Sequence, residues 1–164
     1  MSHNWGVSYI EPSPRTRKAI LDRTRSIAVV GASSNPSRAS NFVMTYLASS
    51  GCDFDLYPVN PREEQINGFT CYPSIDALPV VPDLVDVFRK PDDCPQIAAE
   101  AVAAGAKTLW LQLGIVSDEA ADIALEAGLE VVMDRCTKIE HARFAGGLHL
   151  SGFDTGVISS RRAS

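Results

Sequence analysis

An α/β fold, with a doubly wound and mainly parallel sheet between helices on both faces, is predicted by three features of this chain. Apolar runs of strand length alternate with helical patterns from about residue 26 to residue 145. These runs are almost continuously hydrophobic, as strands covered on both faces must be. The first of them breaks at Gly31 into a polar loop that opens a helix, an arrangement whose backbone N–H groups can hold a phosphate. Three layers follow: helices, sheet, helices.

Each element has its own signal. Pro12 and Pro14 interrupt the N-terminal stretch, and Arg15 to Thr24 carry a short helical pattern with Ile20 and Leu21 apolar. Ile27 to Val30 is the first strand, followed by a helix through Asn41, Phe42, Val43 and Leu47. Phe54, Leu56, Tyr57 and Val59 make the second strand, stopped by Asn60-Pro61. Residues 62 to 82 are expected to be irregular because Gly68, Pro73, Pro79 and Pro82 break long elements. Within them, an extended piece at Phe69 to Tyr72 and a helical turn near Ser74 to Leu78 are expected.

Leu84 to Phe88 is a third strand, and a helix from about Asp92 to Ala104 ends at Gly105. Thr108 to Leu113 is the next strand, stopped by Gly114. Ser117 caps a helix closed by Gly128. Glu130 to Met133 is the last strand, and Thr137-Lys-Ile-Glu140 fits a capping box for a final helix. The expected organisation is a leader with a short helix over 1–25, a binding domain over 26–145, and a Gly/Ser/Arg-rich tail over 146–164.

Composition narrows the function. A chain of 164 residues is one domain by length, large enough to bury a core. A net charge of −5 argues against a non-specific nucleic-acid binder, which would carry a basic patch. No apolar stretch has the length of a membrane span, and residues 3–12 lack a signal-peptide core, so a cytoplasmic protein is expected. Cys52, Cys71, Cys94 and Cys136 are widely spaced, with no C-x-x-C, which fits reduced thiols. His3, His141 and His149 offer no zinc-ligand spacing, so no metal is expected.

In such sheets ligands bind beyond the carboxyl ends of the strands. Gly31, Ala32 and Ser33 form a tight turn there, and Arg38 at the start of the helix can add a charge-assisted contact. The G-x-G-x-x-G spelling of an NAD site is absent: Ser33 takes the second glycine position and Pro36 the third. At the end of the second strand an NAD site offers Asp or Glu to the ribose. Here Asn60 stands instead, followed by Pro61 and Arg62. A carboxylate would repel a ribose phosphate, whereas Asn beside Arg tolerates one, which favours coenzyme A or NADP. A plain turn is the bland alternative at Asn60-Pro61.

Asp86 lies inside an apolar strand, where it needs a partner such as an arginine or a backbone N–H, or else points into the site. The Gln112 amide either reaches a ligand or is solvated in its loop. Cys136 precedes the proposed cap Thr137; a thiol at a helix N-terminus tends to a lowered pKa, although a buried cysteine is more commonly a small apolar residue.

The ordered set Val29-Val-Gly-Ala-Ser33 with Arg38 and Asn41, Pro58-Val-Asn-Pro61, Asp86-Val-Phe-Arg89, Trp110-Leu-Gln-Leu-Gly114 and Asp134-Arg-Cys136 resembles the stand-alone CoA-binding domain proteins. These are single Rossmann-like domains similar to the amino-terminal domain of succinyl-CoA synthetase alpha subunits. The likeness spans roughly Arg23 to Phe144. It implies coenzyme A across the strand ends: diphosphate on Gly31, Ala32, Ser33 and Arg38, adenosine framed by Asn60 and Pro61, and pantetheine along Arg89, Gln112 and Gly114. Arg62 beside the ribose phosphate is an electrostatic inference added to that resemblance. Cys136 becomes a candidate partner for the pantetheine sulfur.

The larger synthetases carry an ATP-grasp partner and a domain with a phosphorylated histidine, for which this chain has no room. The expected function is therefore non-catalytic binding of coenzyme A or an acyl-CoA, with a small molecule as ligand and any protein partner unidentified. The alternative is an NADP-dependent oxidoreductase reduced to its cofactor domain, which needs a catalytic acid that the chain does not evidently supply.

Overall fold

In the computed structural model, which describes residues 8–49 and 51–145, the elements are α1 (Pro14–Arg23), β1 (Ser26–Val30), α2 (Ala39–Leu47) and β2 (Asp55–Val59). A small hairpin, β3 (Gln65–Ile66) and β4 (Phe69–Thr70), comes next. Then follow β5 (Leu84–Val87), α3 (Cys94–Ala104), β6 (Thr108–Leu111), α4 (Asp118–Glu126), β7 (Glu130–Val132) and α5 (Thr137–Ala145). The tail expected over 146–164, with His149, lies outside the described residues, as does His3.

The main sheet has the order β2-β1-β5-β6-β7, and every pair in it is parallel. The α/β Rossmann-like fold expected from the sequence is the one observed. Side chains alternate between its faces because successive Cβ atoms point to opposite sides of a strand. Ala28, Val30, Val85, Val87, Leu109 and Leu111 pack with α3 and α4. Ile27, Val29, Leu84, Trp110 and Val132 pack with α1 and α2, and Cys136 and Phe144 border that second cluster. Asp86 shares this second face, since it lies between Val85 and Val87 on a strand whose residues are all buried.

Local chemistry sets the helix ends. The Ser13 side chain accepts from the Thr16 N–H, with Pro14 in the first turn of α1. Ser117 accepts from the Ala120 N–H at 3.1 Å, as its cap position predicts. Gly105 closes α3 with φ of 88°.

Three expectations are corrected. The segment after β2 is less irregular than its prolines suggest: Asn67 and Gly68, with φ of 51° and 85°, turn β3 into β4. An Asn-Gly pair is a hairpin signal because both central residues of that turn need positive φ. The strand expected over Thr108 to Leu113 ends at Leu111, and Gln112 turns into a buried side-chain cluster. The Thr137–Glu140 capping box does not form. Thr137 is already helical, and the Glu140 N–H donates to the Cys136 carbonyl at 2.9 Å. Both side chains instead serve buried partners, Thr137 with Asp86 and Glu140 with Arg17. A buried carboxylate lacking its cation costs more than a cap contributes.

Described residues ahead of β1 are tied to the carboxyl-terminal half of the domain. Arg17 Nε meets Glu140 Oε1 at 2.7 Å in the interior, Glu11 pairs with Arg135, and the Met133 N–H donates to Tyr9 Oη at 3.1 Å. From β1 the chain crosses to β2 on one side, whereas β5 to β7 extend on the other. That reversal opens a crevice at the carboxyl ends of β1 and β5.

Candidate functional site

A cavity of about 1230 Å³ occupies this crevice, above the usual span of about 300–1,000 Å³ for small-molecule sites. Gly31, Ala32, Ser33, Arg38, Asn60, Pro61, Arg62, Arg89, Gln112 and Cys136 all line it. Gly114 does not. Its N–H donates to Asp134 Oδ1 at 2.7 Å, so it belongs to a tie between the loops after β6 and β7. Its neighbours Leu113 and Ile115 reach the cavity in its place.

The first loop is held in shape by its own polar groups. Gly31 has φ of 88°, and a Cβ there would lie 2.9 Å from both the Phe88 carbonyl oxygen and Arg89 Cδ. Only glycine permits this close approach of the β1 and β5 ends. Ser33 Oγ accepts from the Asn35 N–H at 3.0 Å, and Asn41 Nδ2 donates to the Ser33 carbonyl at 2.9 Å. The Ser34 N–H donates to Glu63 Oε2 at 3.1 Å, so one loop N–H already faces a carboxylate of the chain itself.

At the start of α2 the donors are differently disposed. Arg38 stands at the N-cap without a side-chain capping bond. The first N–H groups of a helix have no carbonyl one turn back, so those of Ala39 and Ser40 have no α-helical acceptor. Ser40 is only 3 % exposed, lines the cavity, and its hydroxyl has no hydrogen-bond partner among the described residues. An anionic oxygen from a ligand would satisfy these groups together. Arg38 and Arg62 are exposed on the same cavity, while Arg89 pairs with Asp93 at 2.7 Å.

Asn60 has a structural duty that its neutrality did not reveal. Its Nδ2 donates to the Ala32 carbonyl at 2.8 Å and its Oδ1 accepts from the Arg62 N–H at 2.8 Å. The side chain therefore clamps the β1 and β2 ends and orients the backbone of Arg62.

A profile of CoA binding domains matches residues 25–142. The chain belongs to this CoA-binding family. It is 36% identical over 131 residues to an uncharacterized protein of Bacillus subtilis, spanning 80% of this chain and 96% of that one. It is 28% identical over 121 residues to the ADP-forming acetate–CoA ligase I of Archaeoglobus fulgidus, spanning 67% of this chain but only 17% of the ligase. Among solved structures, a hypothetical protein from Pyrococcus horikoshii superposes with a TM-score of 0.79 at 38% identity, covering 89% of this chain and all of that one.

Within this CoA-binding fold, Gln112, which lines the cavity, belongs to a buried polar triad. Gln112 Nε2 donates to Asp86 Oδ1 at 2.6 Å and to Thr137 Oγ1 at 2.9 Å, and Thr137 Oγ1 donates to Asp86 Oδ2 at 2.9 Å. Asp86 therefore answers to an amide and a hydroxyl, not to the arginine or backbone N–H considered from sequence. Burial pushes its carboxyl up to about 7, against the lowering effect of those two hydrogen bonds. Gln112 spends both amide hydrogens here, which leaves its oxygen alone for the cavity.

Cys136 occupies the N-cap position of α5 and is half-buried. Its thiol is raised, not lowered: desolvation outweighs the N–H groups of Ile139 and Lys138 that favour the thiolate, and Asp86 raises it further. Burial thus outweighs the helix-terminus effect that position alone suggests.

Sequence reasoning missed Ser40, Lys90, Gln96 and the wall made by Pro73, Ser74 and Ile75. A serine in the first turn of the helix that follows Gly31 was a usable signal for the first. The wall had none, since its place depends on how the 62–82 segment folds back over β2, where Tyr72 bridges Val59. Among the described residues no His/Cys/Asp/Glu group is arranged to hold a metal ion, and no helix is long and apolar enough to cross a membrane.

Proposed function

We propose that this chain binds coenzyme A or an acyl-CoA along the carboxyl edge of its sheet, with no chemical step of its own. The observation that carries the reading is the start of α2: an N-cap without a side-chain capping bond, Ala39 and Ser40 N–H groups without an α-helical acceptor, and the unpartnered Ser40 hydroxyl, all on one large cavity. Gly31, Ala32, Ser33 and Arg38 would hold the diphosphate, and Asn60 and Pro61 would frame the adenosine. Arg62, exposed and oriented through Asn60, is suited to the extra ribose phosphate that distinguishes coenzyme A from dephospho-CoA. Arg89, Gln112 and Cys136 line the part of the cavity toward which the pantetheine arm would run. Bound coenzyme A supplies a thiol that carries acyl groups; the protein holds and shields it.

Calorimetric titration with coenzyme A, dephospho-CoA, NADP and NAD tests this reading. Coenzyme A is expected to bind tightest, with dephospho-CoA weaker by about tenfold for one lost charge-assisted contact. Arg62→Ala should erase most of that difference. Equal affinity for the first two ligands in the unaltered protein removes the role of Arg62. NADP binding more tightly than coenzyme A would replace the whole reading with the oxidoreductase one.

A further inference from the structure

Gln112 stands between the cavity and the buried carboxyl of Asp86, and the hydrogens of that cluster can be counted. Gln112 lines the cavity although it is only 4% exposed, while Asp86 and Thr137 are fully buried. Three hydrogens fill the cluster: two from the Gln112 amide, to Asp86 Oδ1 at 2.6 Å and Thr137 Oγ1 at 2.9 Å, and one from Thr137 to Asp86 Oδ2 at 2.9 Å. Both carboxylate oxygens accept, so this arrangement belongs to ionised Asp86, and it leaves the Gln112 oxygen for the cavity.

A proton on Asp86 adds a hydrogen that this arrangement cannot take. On Oδ1 it meets the Gln112 N–H; on Oδ2 it occupies Thr137 Oγ1 and leaves the hydroxyl hydrogen without an acceptor in the cluster. Turning the amide end over removes the conflict and displaces nothing else, since its oxygen and nitrogen have nearly the same shape. Asp86 then donates to the Gln112 oxygen, Thr137 donates as before, and the Gln112 N–H groups are left for the cavity. The 2.6 Å separation suits this form, being shorter than the about 2.7–3.2 Å of N–H···O bonds and within the about 2.5–3.0 Å of O–H···O bonds.

We propose that Asp86 and Gln112 form a proton-set selector of the ligand's acyl state. With Asp86 charged, the cavity offers an amide oxygen, which suits the S–H of free coenzyme A. With Asp86 protonated it offers amide N–H groups, which suit the carbonyl of an acyl thioester and need an acceptor in so buried a place. The inference rests on the coenzyme A reading above and deepens it. Pantetheine's own amides carry both a donor and an acceptor and are met in either form; free and acylated ligands differ only at the sulfur.

Burial raises the Asp86 carboxyl to about 7, so both forms are populated near neutrality. The groups around it do not blur that titration. Its partners on the neighbouring strands are Val29 of β1 and Trp110 of β6, and α2 carries no charged residue. On α5, Glu140 is held by Arg17 at 2.7 Å, and His141 turns to Tyr46 and Phe54. Arg89, beyond β5, pairs with Asp93. Cys136 feels the Asp86 charge, but burial raises its thiol above 9.0.

The test measures, by calorimetry on the full-length protein, the affinities of coenzyme A, acetyl-CoA and S-ethyl coenzyme A from about pH 5.5 to about pH 8, below the ordinary thiol pKa of about 8.5. The three share their phosphates, whose titration cancels in the ratios. S-ethyl coenzyme A has neither a carbonyl nor an S–H. Relative to it, acetyl-CoA should gain about 5- to 10-fold at the acid end, with a midpoint at about 7. Coenzyme A should gain about twofold at the alkaline end, S–H being a weak donor. Asp86→Asn, which can donate an N–H to Gln112 at every pH, should hold the acid-end ratios throughout. Gln112→Met should bind acetyl-CoA no better than S-ethyl coenzyme A at any pH. Ratios that stay constant with pH in the unaltered protein, or a pH dependence that persists in either variant, overturn the selector and leave the binding reading standing. If Asp86→Asn does not fold, the unaltered protein and Gln112→Met decide. Failure of the unaltered protein to bind any of the three ligands overturns both.

Discussion

Asp86→Asn should abolish a pH dependence of stability that the unaltered protein carries. Asp86 is fully buried, hydrogen-bonded by Gln112 at 2.6 Å and Thr137 at 2.9 Å, and its carboxyl is raised from 3.8 to about 7. Between those values the folded chain keeps a proton that the unfolded chain has released. Stability from this group is therefore fully present below 3.8, falls as pH rises, and is lost once pH passes about 7. At about 1.4 kcal/mol per pH unit, the loss from about pH 5 to about pH 7 is about 3 kcal/mol. His141 works in the opposite sense: burial lowers its pKa below 6.5, so its contribution is lost as pH falls through the lowered value. His141 contacts Tyr46 and Phe54 and, among the described residues, makes no hydrogen bond to Asp86, Gln112 or Thr137, so its effect cancels between the two proteins. Urea unfolding followed by circular dichroism, from about pH 5 to about pH 8, gives the difference directly. The variant's stability relative to the unaltered protein should rise by about 3 kcal/mol over that range and then level off. An identical pH profile for the two proteins would refute the argument, because it would mean that the carboxyl titrates alike in the folded and unfolded chains.

Three further outcomes are expected. Gly31→Ala should lower stability by about 2 kcal/mol or more, from an L-residue at φ of 88° and a Cβ pressed on the Phe88 carbonyl, and should weaken coenzyme A binding, read by thermal melting and calorimetry. Ser40→Ala breaks no hydrogen bond among the described residues; its melting should shift by no more than about 0.5 kcal/mol, while coenzyme A affinity falls by about 5- to 10-fold. Arg17→Met removes the 2.7 Å partner of Glu140, whose side chain is 2% exposed, and leaves it only Arg143 at 3.5 Å and Arg135 at 3.9 Å; it should cost about 3 kcal/mol in urea titrations, most of it recovered when Glu140→Leu is added. If the double variant is no more stable than the single one, the cost lies in the packing of α1 and not in the ion pair.

The sequence by itself determined the sheet. Continuous apolar runs such as Ile27–Val30 and Leu109–Leu111 can be satisfied only between two helical layers, and Ser117 and Gly105 act through their own backbones or nearest neighbours. It also determined which strand ends meet the cavity, since alternation of strand and helix brings every carboxyl end to one edge. The duties of polar side chains on that edge depended on partners distant in the chain. Asn60 clamps Ala32, Gln112 is drawn to Asp86 and Thr137, and Glu140 turns from its expected cap to Arg17 across 123 positions. Desolvation likewise decided between a lowered thiol pKa and a buried apolar cysteine at Cys136, and burial exists only once the layers have closed. Periodicity and capping are local and can be read along the chain; the pairing of buried polar groups is settled by which partner lies closest in space.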